Sequence, residues 1–79
     1  MSRVLKRSVT IRGHRTSFSL EQPFLDELAA MAAARGQPLA ALVADIDASR
    51  PRDTNLSSAL RLAALAWVKA GAESAGATG

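Results

Sequence analysis

The chain has no cysteine and a single histidine among its 79 residues. Disulfides and thiolate metal sites are therefore excluded as sources of stability, and one imidazole cannot build a zinc site by itself. No run approaches the roughly 18 apolar residues that a membrane span needs. The basic start MSRVLKRS lacks the apolar stretch of a signal peptide. The expected location is the cytoplasm, with no membrane partner. The sequence holds no nucleophile–base constellation, no phosphate-binding glycine loop and no cluster of metal ligands. It does not read as an enzyme, and no catalytic residue, metal or cofactor is expected. Asp45 and Asp47, spaced i, i+2, point apart on a helix and are read as solvated. No internal repeat is present.

Acids are missing from one part of the chain. Residues 1–20 carry Arg3, Lys6, Arg7, Arg12 and Arg15 with no Asp or Glu, while the remaining residues carry a net −2. A basic segment on a mildly acidic body is the footprint of a polyanion binder. The segment is also the β-rich part of an Ala/Leu-rich sequence. Val9 and Ile11 are apolar at odd positions, Phe18 and Leu20 at even ones. Strand side chains alternate with period two, so the phase must reset near Gly13. One solution is a hairpin with Gly13-His14 as a type II′ turn, pairing Val9 with Phe18 and Ile11 with Thr16. The other is a bend at Gly13 that leaves residues 16–20 as the one true strand. A lone strand must pair, and the same strand of a second chain is an economical partner. Phe18 and Leu20 then face inward. Arg15, Ser17 and Ser19 face outward.

Three helices are expected next. The first spans Glu21–Arg35, with Ser19 or Glu21 as cap, Pro23 in the first turn and Gly36 as a left-handed stop. Its apolar face is Phe24, Leu25, Leu28, Met31 and Ala32. The second spans Gln37–Ser49, with Leu39, Leu42, Val43 and Ile46 as a stripe. Pro51 ends it. The third starts at a Thr54 or Asn55 cap and runs to about Ala70. One of its rows is Leu56, Leu60, Ala63 and Trp67, and another is Leu62, Leu65 and Ala66. A helix apolar over most of its circumference wants burial on two sides. A chain this small buries only roughly 60% of its unfolded surface, so a shared core is expected. Its members are Phe18, Leu20, Leu28, Leu42, Val43, Ile46, Leu60 and Trp67. The expected layout is a flexible basic arm over 1–7, a domain over 8–70 and a disordered tail over 71–79.

A short strand, a helix, a Gly-bearing turn and a second helix resemble the ribbon-helix-helix (MetJ/Arc-type) superfamily. The runs RGHRTSFSLEQPF (residues 12–24) and NLSSALR (55–61) resemble a small bacterial branch with an extra C-terminal helix. The resemblance covers about residues 7–68. It implies a mainly α fold with a short N-terminal β-ribbon and three helices, assembled as an intertwined homodimer. It also implies insertion of the paired strands into the major groove of double-stranded DNA and a role in transcriptional regulation, as a repressor. By position, Arg15, Ser17 and Ser19 match the base-facing residues, and the backbone at Gln37–Leu39 matches the phosphate clamp. Pro38 departs from the family's pattern and removes one N–H from that clamp. Arg3, Lys6, Arg7 and Arg12 are the expected phosphate contacts.

A second reading gathers Arg7, Arg12, His14 and Arg15 around Gly13, with Thr10, Thr16 and Ser17, into an anion pocket. Its ligand would be a phosphorylated small-molecule effector, a nucleotide or cyclic dinucleotide. A third reading is an antitoxin acting through its tail. The tail GAESAGATG has no apolar anchors, which argues against it.

Overall fold

The computed structural model describes residues 4–78, with side chains from 4 to 71. The phase break at Gly13 resolves as a hairpin. Strand β1, Val4–Ile11, pairs antiparallel with strand β2, His14–Glu21. The turn differs from the expected one by a residue. Arg12 (φ 52°) and Gly13 (φ 80°) are its two central positions. Two consecutive positive φ values make a type I′ turn, whose twist matches that of the flanking strands. Ile11 therefore lies opposite His14, Val9 opposite Thr16, Arg7 opposite Phe18 and Leu5 opposite Leu20. The expected pairs Val9–Phe18 and Ile11–Thr16 do not form. The sorting of residues between faces survives, because the register moves by a whole side-chain period.

The basic arm is shorter than expected. Residues 4–7 belong to β1, because Val4 and Leu5 find pairing partners in Glu21 and Leu20. Residues 1–3 of that arm lie outside the described residues.

Helix α1 spans Gln22–Ala34. Glu21 occupies its N-cap position but makes no side-chain cap bond. Its carboxylate instead accepts from Arg61 Nε at 2.9 Å. Gly36, at φ 66°, closes the helix as expected. Gln37 N–H donates to Ala32 O and Gly36 N–H to Ala33 O, the paired bonds of a Schellman motif. Helix α2 spans Leu39–Ser49, starting after Pro38 and not at Gln37. Asp47 is not free in solvent. Arg50 Nε lies 2.7 Å from its carboxylate, and Arg50 also donates to Thr54 O, tying down the next connector.

Helix α3 spans Leu56–Thr78. Asn55 caps it, its Oδ1 accepting Ser58 N–H at 2.8 Å. The helix continues past Ala70 through most of the segment expected to be a disordered tail. Alanine is the best helix former, each glycine costs only about 1 kcal/mol, and no proline follows Pro51.

The sheet lies on the helices by its inner row. β1 packs on α2, and β2 packs on α1 and α3. Leu20, Leu28, Leu42, Val43 and Leu60 are fully buried, with Ile11, Phe18, Ala32, Leu56 and Ala64 beside them. Ile46 packs against this cluster, and Trp67 is partly buried. Six of the eight residues expected in a shared core are thus buried within one chain. The first row of α3 closes this core, with Leu56 and Leu60 buried and Ala63 and Trp67 partly buried. Its second row, Leu62, Leu65 and Ala66, stays outside, and Val68 is exposed as well.

Three outcomes are expected from this packing. Leu42→Ala should lower stability by about 2–5 kcal/mol in urea unfolding followed by circular dichroism; a loss below about 1 kcal/mol would show a loosely packed site. Arg12→Asn should raise stability by about 1 kcal/mol, because Asn tolerates the left-handed conformation that Arg12 is forced into. A lower Tm for that variant would contradict the turn assignment. The third outcome concerns pH. The hydrogen bond from Arg61, with one from backbone, holds the Glu21 carboxyl below its ordinary pKa. Such a group stabilises above its unfolded pKa, and the stabilisation is lost as pH falls through the folded value. Glu21→Gln should therefore lower Tm at neutral pH, with the gap closing in acid. A gap that persists in acid would assign the effect to shape.

Candidate nucleic-acid interface

The turn fixes the parity of the hairpin, and parity fixes the outward face. With Ile11, Phe18 and Leu20 turned inward, the alternate residues point out. β2 presents Arg15, Ser17, Ser19 and Glu21. β1 presents Thr10, Ser8, Lys6 and Val4. They stand in directly opposed pairs, Thr10 with Arg15, Ser8 with Ser17, Lys6 with Ser19 and Val4 with Glu21. All are exposed except Glu21, which is partly buried. In a two-residue hairpin these are the non-hydrogen-bonded pairs, so their Cα atoms sit only about 4.5 Å apart.

This face is chemically uniform. From tip to base it carries Arg12 in the turn, Arg15, four hydroxyls and Lys6. No acid occurs before Glu21, whose charge is already matched by Arg61. Among the described residues, no hydrogen bond or ion pair engages the side chains of Lys6, Ser8, Thr10, Arg12, Arg15, Ser17 or Ser19. These side chains are not used to hold the fold. A two-stranded ribbon fits the DNA major groove, about 12 Å wide, where donors and acceptors on the base edges meet such side chains.

The other expected contacts are dispersed. Arg7 lies on the inner row, opposite Phe18, and donates to the Gln22 amide oxygen at the start of α1. Its Nε is buried without an acceptor. It acts as a strut between β1 and α1, away from the outer face. Thr16 is also on the inner row and partly buried. His14 shares that row but is exposed, although Ile11 opposite it is buried. The Arg7–Arg12–His14–Arg15 cluster is thus divided between the two faces. Gln37 has its backbone N–H committed to Ala32 and its side-chain amide 3.5 Å from Asp45. At the start of α2 this leaves the N–H groups of Leu39 and Ala40, which lack intrahelical partners. Arg3 lies outside the described residues.

Ser8 and Thr10 are members of this face that sequence reasoning placed elsewhere or passed over. The signal was present: if Val9 and Ile11 turn inward, residues 6, 8 and 10 must turn outward.

One contact reaches the free edge of β2. Ser19 N–H points away from β1 and donates to Ser57 Oγ at 3.1 Å. With Arg61–Glu21 nearby, the first turns of α3 brace the base of the ribbon.

Among the described residues, no helix is long and apolar enough to cross a membrane. No curated protein and no solved structure matches the chain. Residues 4–68, from the start of β1 into the third helix, match the ribbon-helix-helix domain. That family generally comprises dimerising, typically non-enzymatic DNA-binding transcription regulators or antitoxins. The match takes in the hairpin, its turn, the first two helices and the first part of the third, and the chain belongs to the ribbon-helix-helix domain family.

Proposed function

We propose that this protein is a sequence-specific transcriptional repressor that inserts the outer face of its hairpin into the major groove of double-stranded DNA. The observation that carries the reading is the outer face from the turn to Ser19, exposed, free of acid, and built from cations and hydroxyls that no hydrogen bond or ion pair among the described residues uses. Arg15 is the base reader, since a guanidinium can bond guanine O6 and N7 together. Ser17 and Ser19, with Ser8 and Thr10 across the ribbon, both donate and accept, and so tolerate several base edges. Lys6 and Arg12 flank the row and neutralise phosphates, which sets register and most of the affinity. Arg3 would extend that contact. The N–H groups of Leu39 and Ala40, at the positive end of α2, offer a further phosphate contact. A ribbon seated in the groove at a promoter denies that groove to other proteins, which is the physical basis of repression.

The effector reading has less support, because its cluster is divided by the sheet and Arg7 is committed to Gln22. No specific observation favours the antitoxin reading.

Fluorescence anisotropy with a fragment of the protein's own promoter, beside scrambled DNA, tests the proposal. Tighter binding to the promoter fragment is expected, with affinity falling steeply between low and moderate salt. Arg15→Ala should weaken that binding by about 1–3 kcal/mol without lowering Tm. Equal, salt-insensitive binding to both DNAs would reject the proposal, and unchanged affinity would remove Arg15 from the interface.

A further inference from the structure

We infer that the outer side of α3 belongs to the contact between two copies of this chain, with Leu62, Leu65 and Val68 of each copy covered by the other. The inference goes beyond the DNA-binding reading and does not depend on it. Four observations carry it.

First, α3 is apolar on a side that its own core does not use. Leu56, Leu60 and Ala64 pack into the core, while Leu62 is 61% exposed within one chain, Leu65 51% and Val68 45%. Residues 62–68, LAALAWV, hold no charged side chain. A helix that only closed a core would be polar on its far side. A contiguous apolar patch marks a surface that meets another molecule.

Second, this side of α3 runs on from the edge of the ribbon. Ser57 accepts Ser19 N–H at the edge of β2 that β1 does not occupy, and Arg61 holds Glu21 at the end of the same strand. Leu65 and Val68 follow Ser57 and Arg61 at i+8 and i+11 from Ser57, on the same side of the helix. A second copy that approaches this edge of β2 therefore meets Leu65 and Val68 as well.

Third, the surface is shaped to receive a side chain. A cleft of about 260 Å³ opens between α1 and α3, lined by Pro23, Phe24, Glu27, Ala64, Leu65 and Val68. Leu62, the most exposed of the three aliphatic residues, stands on the other flank of Leu65 with Lys69. Two-fold symmetry lets a projecting residue and a cleft meet twice, once from each copy.

Fourth, area and charge both suit a second copy of the same chain. Three half-exposed aliphatic side chains present on the order of 300 Å², against roughly 800 Å² per partner in a standard interface. The patch is too small to hold two copies alone, so it extends a dimer contact made elsewhere, in a family that generally dimerises. Its borders carry one acid, Glu27, and one base, Lys69, and no ion pair among the described residues engages either. A border of a single sign would repel its own copy; this one does not.

The absence of cysteine makes the contact directly testable. Leu62→Cys and Leu65→Cys place single thiols on the patch, and Ala33→Cys places one at an exposed position near the end of α1. Under mild oxidation of the full chain, at least one of the two α3 variants should form disulfide-linked dimers faster than the Ala33→Cys control. Sedimentation equilibrium should show a wild-type dimer at micromolar concentration, with Leu65→Glu raising its dissociation constant at least about tenfold and circular dichroism unchanged. If Leu65→Glu unfolds, the cross-linking rates decide. A wild-type chain that stays single, cross-linking of both α3 variants no faster than the control, or an unchanged dissociation constant for folded Leu65→Glu would overturn the inference. Each of these outcomes leaves the anisotropy result, and with it the DNA-binding reading, to stand or fall separately.

Discussion

Two adjacent residues with positive φ, Arg12 and Gly13, reverse the chain in the shortest way available to a hairpin. Because the loop holds an even number of residues, odd positions of β1 share a face with even positions of β2. Val9 and Ile11 thereby join Phe18 and Leu20, although the two pairs are out of phase in the sequence. The opposite face collects the hydroxyls and cations by the same parity. Sorting of the sheet into a buried side and an exposed side follows from that one reversal. Gly13 adopts its conformation freely. Arg12 does so at some cost, and in return it stands at the tip, outside the helical layer.

The inner face then needs a cover, and α3 completes it. α1 and α2 alone would leave part of a small core open, the usual weakness of a chain this size. Leu56, Leu60 and Ala64 fill the gap from the third helix. Its first turns also reach the sheet, through Ser57 to the β2 backbone and Arg61 to Glu21. The helix that closes the core is thus the one that braces the ribbon. Its outer side, with Leu62, Leu65 and Val68, is exposed within the chain.

Much of this was legible in the sequence because periodic patterns report one-dimensional facts. The stripe Leu39, Leu42, Val43, Ile46 gave α2, Gly36 gave the end of α1, and Asn55 gave the cap of α3. The outward placement of Arg15, Ser17 and Ser19 was equally legible, since alternation alone decides it. Strand partners were not, because alternation does not say whether the second strand lies in the same chain. Nor was the one-residue shift of the turn, because Arg12 is an uncommon residue in a left-handed position. Arg7 was assigned by charge to the phosphate side, but its odd position placed it with Val9 and Ile11. The length of α3 was missed because glycines at 71 and 76 read as punctuation in a segment whose alanines outweigh them.

The Ser19–Ser57 bond also bears on how the chain comes together in time. The hairpin closes a two-residue loop, while this bond joins groups 38 residues apart and Arg61–Glu21 joins groups 40 apart. The entropy lost in closing a loop rises with its length, and hairpins form within microseconds. The ribbon also leaves a ribosome before α3 does. Until α3 docks, a nascent chain carries an open strand edge above an uncovered apolar face, the condition in which strands of neighbouring chains pair wrongly. A serine and an arginine near the start of the final helix thus shorten the window in which the unfinished protein can aggregate.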